Sequence, residues 1–221
     1  MALYDGFADW YDEHLARFTL ASSDTLARLL GSGDGRCLDL GCGTGLHIEA
    51  VAGLGWRVTG VDISADQLRI AHTRAGQVAE LVLGDASALP FDDRSFDAVV
   101  SMYTHTDVDD FSALVREGAR VLRPGGRFVY VGLHPCFVGH HAQFVDDRTP
   151  PILHGGYREP GRRYDAPGIS PEGLRAKVGA VHLPLDALLR AFLSQPLRIE
   201  AFEEHAEVDY PRRLALRAIR V

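Results

Sequence analysis

Residues 36–45 constrain this chain more than any other segment. Arg36-Cys37-Leu38-Asp39-Leu40 reads as a short buried strand, and Gly41, Gly43 and Gly45 follow at alternate positions before a helix expected from about Gly45 to Leu54. A strand that ends in glycines and opens a helix exposes the free N–H groups of the helix N-terminus where no Cβ blocks a ligand. The next apolar run, Arg57–Val61, ends in Asp62, 21 residues after Gly41. In such folds an acid at that strand end accepts hydrogen bonds from a ribose diol.

The alternation continues. A helix is expected from Ser64 to about Ala75, a third strand at Glu80–Gly84, a fourth at Asp97–Ser101, and a helix from about Asp110 to Val121. Pro124-Gly125-Gly126 is expected to turn the chain into a fifth strand, Arg127–Gly132. Short strands alternating with helices imply right-handed crossovers and a mainly parallel sheet. Pro184–Leu193 reads as a further helix, and Leu197–Glu203 with Arg213–Ile219 as a closing antiparallel hairpin with its turn near Asp209-Tyr210-Pro211.

Two regions lie outside this pattern. In residues 1–33, Phe7, Trp10, Tyr11, His14, Leu15 and Phe18 fall on one helical face, and Ser22 and Ser23 are placed to cap a second helix to about Leu30. Residues 133–182 hold six of the eleven prolines and five of the ten histidines, with little periodicity. A loop-rich stretch of that length suits a lid or binding segment.

Composition narrows the function classes. The 221 residues are 46% hydrophobic and 24% charged, which suits a folded α/β chain rather than a disordered one. The net charge of −7, with no run of more than two adjacent basic residues, disfavours a broad grip on nucleic acid or an anionic membrane. Cys37, Cys42 and Cys136 form no C-x-x-C pair and are odd in number, against a disulfide framework or a structural zinc site. No apolar run approaches the roughly 20 residues that span a bilayer, and Met1–Tyr11, with Asp5 and Asp9, does not read as a signal peptide. A cytoplasmic location is the expectation. Lys177 is the single lysine among 23 basic residues, which reads as codon bias.

Two cofactor classes fit the glycine turn: a dinucleotide and S-adenosylmethionine (SAM). The dinucleotide pattern needs glycine at its first, third and sixth positions, here Gly41, Gly43 and Leu46. The third glycine, Gly45, comes one place early. That favours SAM, which has no pyrophosphate to cradle.

Five segments in register then resemble the class I SAM-dependent methyltransferases, in the ubiquinone/menaquinone-type group of small-molecule enzymes. They are Asp39–Gly45, Gly60-Val61-Asp62-Ile63-Ser64, Gly84-Asp85-Ala86 with Leu89-Pro90-Phe91, Phe96-Asp97-Ala98-Val99-Val100-Ser101, and Val121-Leu122-Arg123-Pro124-Gly125-Gly126. The resemblance implies an α/β, Rossmann-like fold: a mainly parallel seven-stranded sheet flanked by helices, with a C-terminal antiparallel hairpin. It implies one methyltransferase domain over 1–221, divided into a helical cap (1–33), a cofactor-binding core (36–132), a substrate lid insertion (133–182) and a C-terminal helix and hairpin (183–221).

The cofactor implied is SAM, with S-adenosylhomocysteine as product. Asp62 would take both ribose hydroxyls, Ile63 would pack on the adenine face, Asp85 would accept from the adenine amine, and the Ala86 N–H would meet the ring. The Gly41 and Gly43 backbone would follow the methionine part, with Asp39, Cys42, Gln67, Gly84, Ser101 and Tyr103 completing the cofactor set. Tyr11, on the N-terminal helix, is placed near the carboxylate or sulfonium.

Methyl transfer is an in-line displacement in which the protein positions the acceptor and excludes water. Acceptor groups should come from loops at the C-terminal strand ends. Met102-Tyr103-Thr104-His105-Thr106-Asp107 lacks the Asn/Asp-Pro-Pro-Tyr/Phe pattern of many amino-group methyltransferases, which demotes nucleobase and protein-glutamine substrates. His105 and His134 follow two strand ends and are the general-base candidates; packing or capping is the alternative role for each. They make oxygen the first acceptor atom considered, with nitrogen and carbon open. Tyr103, His134, Tyr157 and Arg158 are the acceptor-pocket candidates. His140, His141, Asp146, Asp147 and His154 lack tight metal-ligand spacing, and no metal is expected. The partner expected is a small molecule rather than nucleic acid or membrane, acted on by a monomer or homodimer. A SAM-binding enzyme redirected to a cyclase- or lyase-type reaction, an NAD(P)-dependent oxidoreductase and a non-catalytic SAM-binding module are the rivals.

Overall fold

Runs of apolar residues no longer than a strand, each closed by a turn or a cap, set the architecture. The structure is a computed structural model and describes residues 2–146, 149–206 and 209–221. Helices α1 (Ala8–Leu20) and α2 (Ser23–Leu30) precede the alternating core. That core is β1 (Arg36–Leu40), α3 (Ile48–Gly53), β2 (Arg57–Asp62), α4 (Ala65–Ala75), β3 (Ala79–Leu83), β4 (Phe96–Met102), a 3₁₀ turn at Thr104–Thr106, α5 (Phe111–Val121) and β5 (Leu122–Leu133). The Ser64 hydroxyl caps α4 by accepting from the Gln67 N–H at 3.2 Å, and Asp110 caps α5 by accepting from the Ala113 N–H at 2.8 Å.

The insertion adds β6 (Ala142–Gln143), β7 (Ile152–Leu153), β8 (Gly161–Arg163), α6 (Leu174–Val178) and β9 (Ala180–His182); α7 (Leu185–Leu193), β10 (Leu197–His205) and β11 (Arg213–Arg220) complete the chain. The seven-stranded sheet has the order β10-β11-β5-β4-β1-β2-β3. Its neighbours β3-β2-β1-β4-β5 are parallel, while β11 runs antiparallel to both β5 and β10. The Rossmann-like sheet with its closing hairpin is therefore present as expected. Chain order reverses between β1 and β4, and the carboxyl ends of those strands form the crevice in which such sheets bind ligands.

Alternation along the strands builds two cores. Leu38, Leu40, Val99, Phe128 and Tyr130 face α5 and α7, whereas Cys37, Ala98, Val100, Val129 and Val131 face α2, α3 and α4. Phe192 of α7 packs on Phe128 at 5.3 Å, Tyr130 at 5.8 Å and Phe111 at 6.0 Å between ring centroids. The Pro124-Gly125-Gly126 turn sits inside an irregular stretch of β5. There β4 pairing passes from Phe96–Leu122 to Ala98–Arg127, and the intervening residues bulge out of register.

The insertion carries more order than its composition suggests. β6 pairs with β7 and β8 with β9, both antiparallel. The rings of His140, His141 and His182 meet edge-on, 4.8 to 5.7 Å apart, at its base. Their Nε2 atoms bond the carbonyls of Gly156 (3.1 Å), Cys136 (3.3 Å) and Tyr157 (2.7 Å). Of the residues first weighed as a metal cluster, His154 is exposed and bonds Gln143 at 2.9 Å, Asp146 accepts from the Thr149 N–H, and Asp147 lies outside the described residues.

Burial holds three histidines neutral: His105 is pushed down to about 3, and His47 and His182 to about 4. An unfolded chain protonates histidine near pH 6.5. A depressed folded pKa means that the unfolded state binds the extra proton, so this stabilisation is whole above about pH 6.5 and is lost as pH falls toward about 4. Asp39, pushed up to about 7 by burial and by Asp62, acts in the opposite sense, so a comparison of variants isolates the histidines. The fall in Tm between about pH 7.5 and about pH 5 should be smaller in His182→Gln than in the unmodified protein. An equal fall in both contradicts the assignment.

Candidate active site

The turn after β1 is drawn tight by one acceptor. The Val61 carbonyl takes the N–H groups of both Gly41 (2.9 Å) and Cys42 (3.0 Å). Gly41, Gly43 and Gly45 have φ of +75°, +53° and +76°, a region that side-chain-bearing residues rarely adopt. A Cβ on Gly41 would stand 2.6 Å from Thr104 Cγ2, and one on Gly45 would meet Ala71 of α4 at 3.2 Å. The first of these glycines thus admits the β4 loop and the third admits a helix.

Asp62 ties this turn to the end of β2. One carboxylate oxygen accepts the Gly43 N–H at 2.9 Å and the other accepts the Ser64 N–H at 2.9 Å. Burial raises its pKa, and those two N–H bonds oppose the rise. Beside it Ile63 is 59% exposed, an apolar platform left uncovered by the fold. The Gln67 Oε1 is buried without a donor and faces Gly43 across 3.6 Å to the Cβ position that glycine leaves empty.

These groups floor a cavity of about 480 Å³. Asp85, Ala86 and Ser87 close one end; Asp85 is held by the N–H (2.8 Å) and hydroxyl (2.7 Å) of Ser87. Met102, Tyr103 and Thr104 form a wall, with Tyr103 in the left-handed region at φ +61° and its phenol 2.5 Å from the Ser22 hydroxyl. Ala2, Leu3, Tyr4 and Tyr11 roof it. Burial pushes the Tyr11 phenol up to about 12, so it stays protonated at neutral pH.

The roof is pinned to α4 by carboxylates. Asp12 accepts from Arg74 (2.8 Å) and from the Thr44 hydroxyl (2.8 Å), Asp9 pairs with Arg69 (2.7 Å), and Asp5 accepts from the Ser64 hydroxyl (2.7 Å). Beyond Thr104, the Tyr4 hydroxyl donates to Asp107 at 2.6 Å, and Arg175 from α6 pairs with the same carboxylate.

The structure brings Tyr11, Gly41, Gly43, Asp62, Ile63, Gln67, Asp85, Ala86 and Tyr103 to this one cavity. Asp39, Cys42, Gly84 and Ser101 lie behind it. Ser101, for example, donates to the Leu40 carbonyl at 3.0 Å and meets the Thr104 hydroxyl at 2.8 Å, bracing the wall. His105 and His134 do not line the cavity. His105 is buried with its Nδ1 against the Tyr130 hydroxyl. His134 has both nitrogens engaged, Nδ1 by the Cys136 N–H at 3.2 Å and Nε2 by Glu204 at 2.7 Å. Tyr157 is half-buried against Leu185 and Cys136, and Arg158 is exposed; neither reaches the lining. Tyr4, Asp107, Arg162 and Arg175 were not among the expected site residues. Asp107 stood at the end of the segment after the fourth strand, but Tyr4 precedes the helical stripe and the two arginines sit where the sequence has no periodicity.

The comparisons with known proteins bear on this cavity. Residues 38–130 match the family described as a methyltransferase domain. The demethylmenaquinone methyltransferase of Tropheryma whipplei is 39% identical over 112 residues, which cover 49% of this chain and 44% of that protein. Residues 38–130 are thus similar to a methyltransferase domain. The ubiquinone/menaquinone biosynthesis C-methyltransferase of Desulfotalea psychrophila is 36% identical over 142 residues, 60% of this chain and 57% of that protein. The chain thus spans about half the length of these curated relatives. A SAM-dependent methyltransferase from Mesorhizobium loti has the same fold, with a TM-score of 0.73 at 24% identity over 98% of this chain and 99% of that one.

The residues of this cavity fit SAM. Each Asp62 oxygen retains acceptor capacity beyond its backbone bond, Ile63 offers a flat apolar face, and the Gln67 Oε1 needs a donor. Gly41→Ala should cost about 1–3 kcal/mol of stability from the forced φ and the Thr104 contact. Urea unfolding measures this; an unchanged midpoint contradicts the tight-turn account.

Proposed function

We propose that the chain binds SAM in this cavity and transfers its methyl group to a small-molecule acceptor. The observation that carries the reading is the Asp62 carboxylate, fixed by the Gly43 and Ser64 N–H groups beside the bare face of Ile63 and the unpartnered Gln67 Oε1. SAM supplies a methyl group already activated on a sulfonium. The remaining work is positional, and the residues for it are present. Asp62 accepts the ribose hydroxyls, Ile63 takes the adenine face, and Asp85 with the Ala86 N–H reads the adenine edge. The glycine turn follows the methionine part. Asp62 and Asp85 line the cavity with carboxylates that favour a cationic ligand. The roof of Ala2–Tyr4 and Tyr11 excludes water from the reacting atoms.

The acceptor then occupies the end between Tyr4, Tyr11, Tyr103 and Asp107. Phenols and a carboxylate suit a hydroxylated compound, reacting at that oxygen or at a carbon the hydroxyl activates. Oxygen was the first expectation from His105 and His134; with both away from the lining, the hydroxyl-bearing wall is what supports it. Carbon is the second reading, favoured by the relative named as a C-methyltransferase.

Incubation with methyl-¹³C SAM and a panel of small phenols tests both. Formation of S-adenosylhomocysteine with label on the acceptor supports the proposal, and the carbon shift separates O- from C-methylation. Binding of SAM with no turnover across the panel favours a non-methylating reaction. Asp62→Ala should weaken S-adenosylhomocysteine binding about tenfold or more in calorimetry, since hydrogen bonds to a charged acceptor contribute about 1.5–3 kcal/mol each. An unchanged affinity overturns that role.

A further inference from the structure

The end of the cavity lined by Tyr4, Asp107 and Arg162 holds a chain of polar groups that the cofactor does not account for. Tyr4 donates to Asp107 Oδ1 at 2.6 Å. Arg175 pairs with the same carboxylate and donates to the Thr106 hydroxyl at 3.1 Å. Arg162 fixes the backbone of that loop, donating to the Asp107 carbonyl at 2.8 Å and to the Asp109 carboxylate at 3.1 Å. Three separate parts of the chain therefore meet at Asp107: the N-terminal roof, the loop after β4 and the insertion.

The direction of these bonds has a chemical consequence. Burial and the adjacent Asp107 carboxylate push the Tyr4 phenol well above its ordinary value, so Tyr4 is neutral at working pH. Burial works to lower the Arg175 guanidinium, but the Asp107 carboxylate outweighs it and raises the group, so Arg175 stays charged. A phenol has one proton, and Tyr4 has committed it to Asp107. Its oxygen keeps only lone pairs for the cavity. Whatever meets that oxygen has to donate. A carboxylate or phosphate has nothing to donate there and faces Asp107 as a like charge. An ether or hydrocarbon leaves the oxygen unpaired in a water-poor site, which costs about 1–3 kcal/mol.

We propose, building on the methyl-transfer reading above, that Tyr4 holds the acceptor by accepting a hydrogen bond from a neutral hydroxyl group, with Asp107 as the positioning residue that aims Tyr4 and Arg175 as the residue that fixes Asp107. The substrate class is therefore a neutral hydroxyl compound, and anionic acceptors are selected against. Tyr4 orients the hydroxyl and takes no proton from it.

The test uses the full chain loaded with S-adenosylhomocysteine and three probes: methylhydroquinone, its dimethyl ether, and the anion 4-methylbenzoate, which has no hydroxyl to donate. Calorimetry first establishes S-adenosylhomocysteine binding; its absence in the unmodified protein overturns the methyl-transfer reading, independently of the acceptor class. With that complex formed, methylhydroquinone should bind about 3- to 10-fold more tightly than the ether, the range expected of one hydrogen bond, and more tightly than the anion. Tyr4→Phe should leave S-adenosylhomocysteine affinity within about threefold and erase the preference for the hydroxyl compound over its ether. Asp107→Asn should shrink that preference, and Arg175→Lys, which keeps a cation beside Asp107, should retain most of it. A merely structural role moves both probes together. Equal weakening of hydroquinone and ether in Tyr4→Phe, tighter binding of the ether or the anion than of the hydroquinone, or no hydroxyl probe bound to a complex that does hold S-adenosylhomocysteine, would each overturn the proposal.

Discussion

The arrangement of this molecule depends on one carboxylate held between two backbone N–H groups. Asp62 closes the end of β2, and its oxygens take the Gly43 N–H from the turn after β1 and the Ser64 N–H at the start of α4, each at 2.9 Å. Without those bonds a buried carboxylate at a strand end would be costly. With them it becomes a fixed acceptor at the end of β2, the strand beside β1, where the sheet reverses its order. The Val61 carbonyl, one residue before it, fixes Gly41, whose missing Cβ lets Thr104 approach and so brings the loop after β4 to the same cavity. The turn after β1, the end of β2 and the start of α4 are registered to the Asp62 side chain.

The covers follow a different logic. The roof of α1 is held to α4 and the glycine turn mainly by charge: Asp9 with Arg69, and Asp12 with Arg74 and Thr44. The exposed Asp9–Arg69 pair contributes about 0–1 kcal/mol; the less exposed Asp12, which accepts from Arg74 on both oxygens and from Thr44, is the firmer of the two. The insertion is anchored at its base by the buried rings of His140, His141 and His182, and at its tip by Arg162 and Arg175. Roof and insertion share Asp107, so the two meet at that end of the cavity.

The floor of this cavity was legible in the sequence because local rules carry it. The positive-φ glycines follow directly on β1, and Asp62 stands at the end of β2 just before the helix start at Ser64, so each signal acts within its own turn and its position survives as geometry. The strands and helices of 36–132 fell within a few residues of their expected ends for the same reason. The acceptor half was not legible. Tyr4 and Asp107 are 103 residues apart and meet only because α1 folds back over the sheet. Arg175 belongs to a short helix in a stretch where proline and histidine hide any period. His105 drew attention by following a strand end, but the left-handed turn at Tyr103 redirects the chain, and the imidazole enters the core against Tyr130. A position after a strand was readable; the direction of a side chain after a left-handed residue was not.

The central claim is that the Asp62 site is built for an adenosine bearing a cation rather than for a dinucleotide, and that Gly45, one place early, serves α4 packing rather than a pyrophosphate. Calorimetry with SAM and NAD, side by side on the full chain, tests it most directly. The account predicts one-to-one binding of SAM and no measurable heat with NAD. Tight binding of NAD with none of SAM would contradict it.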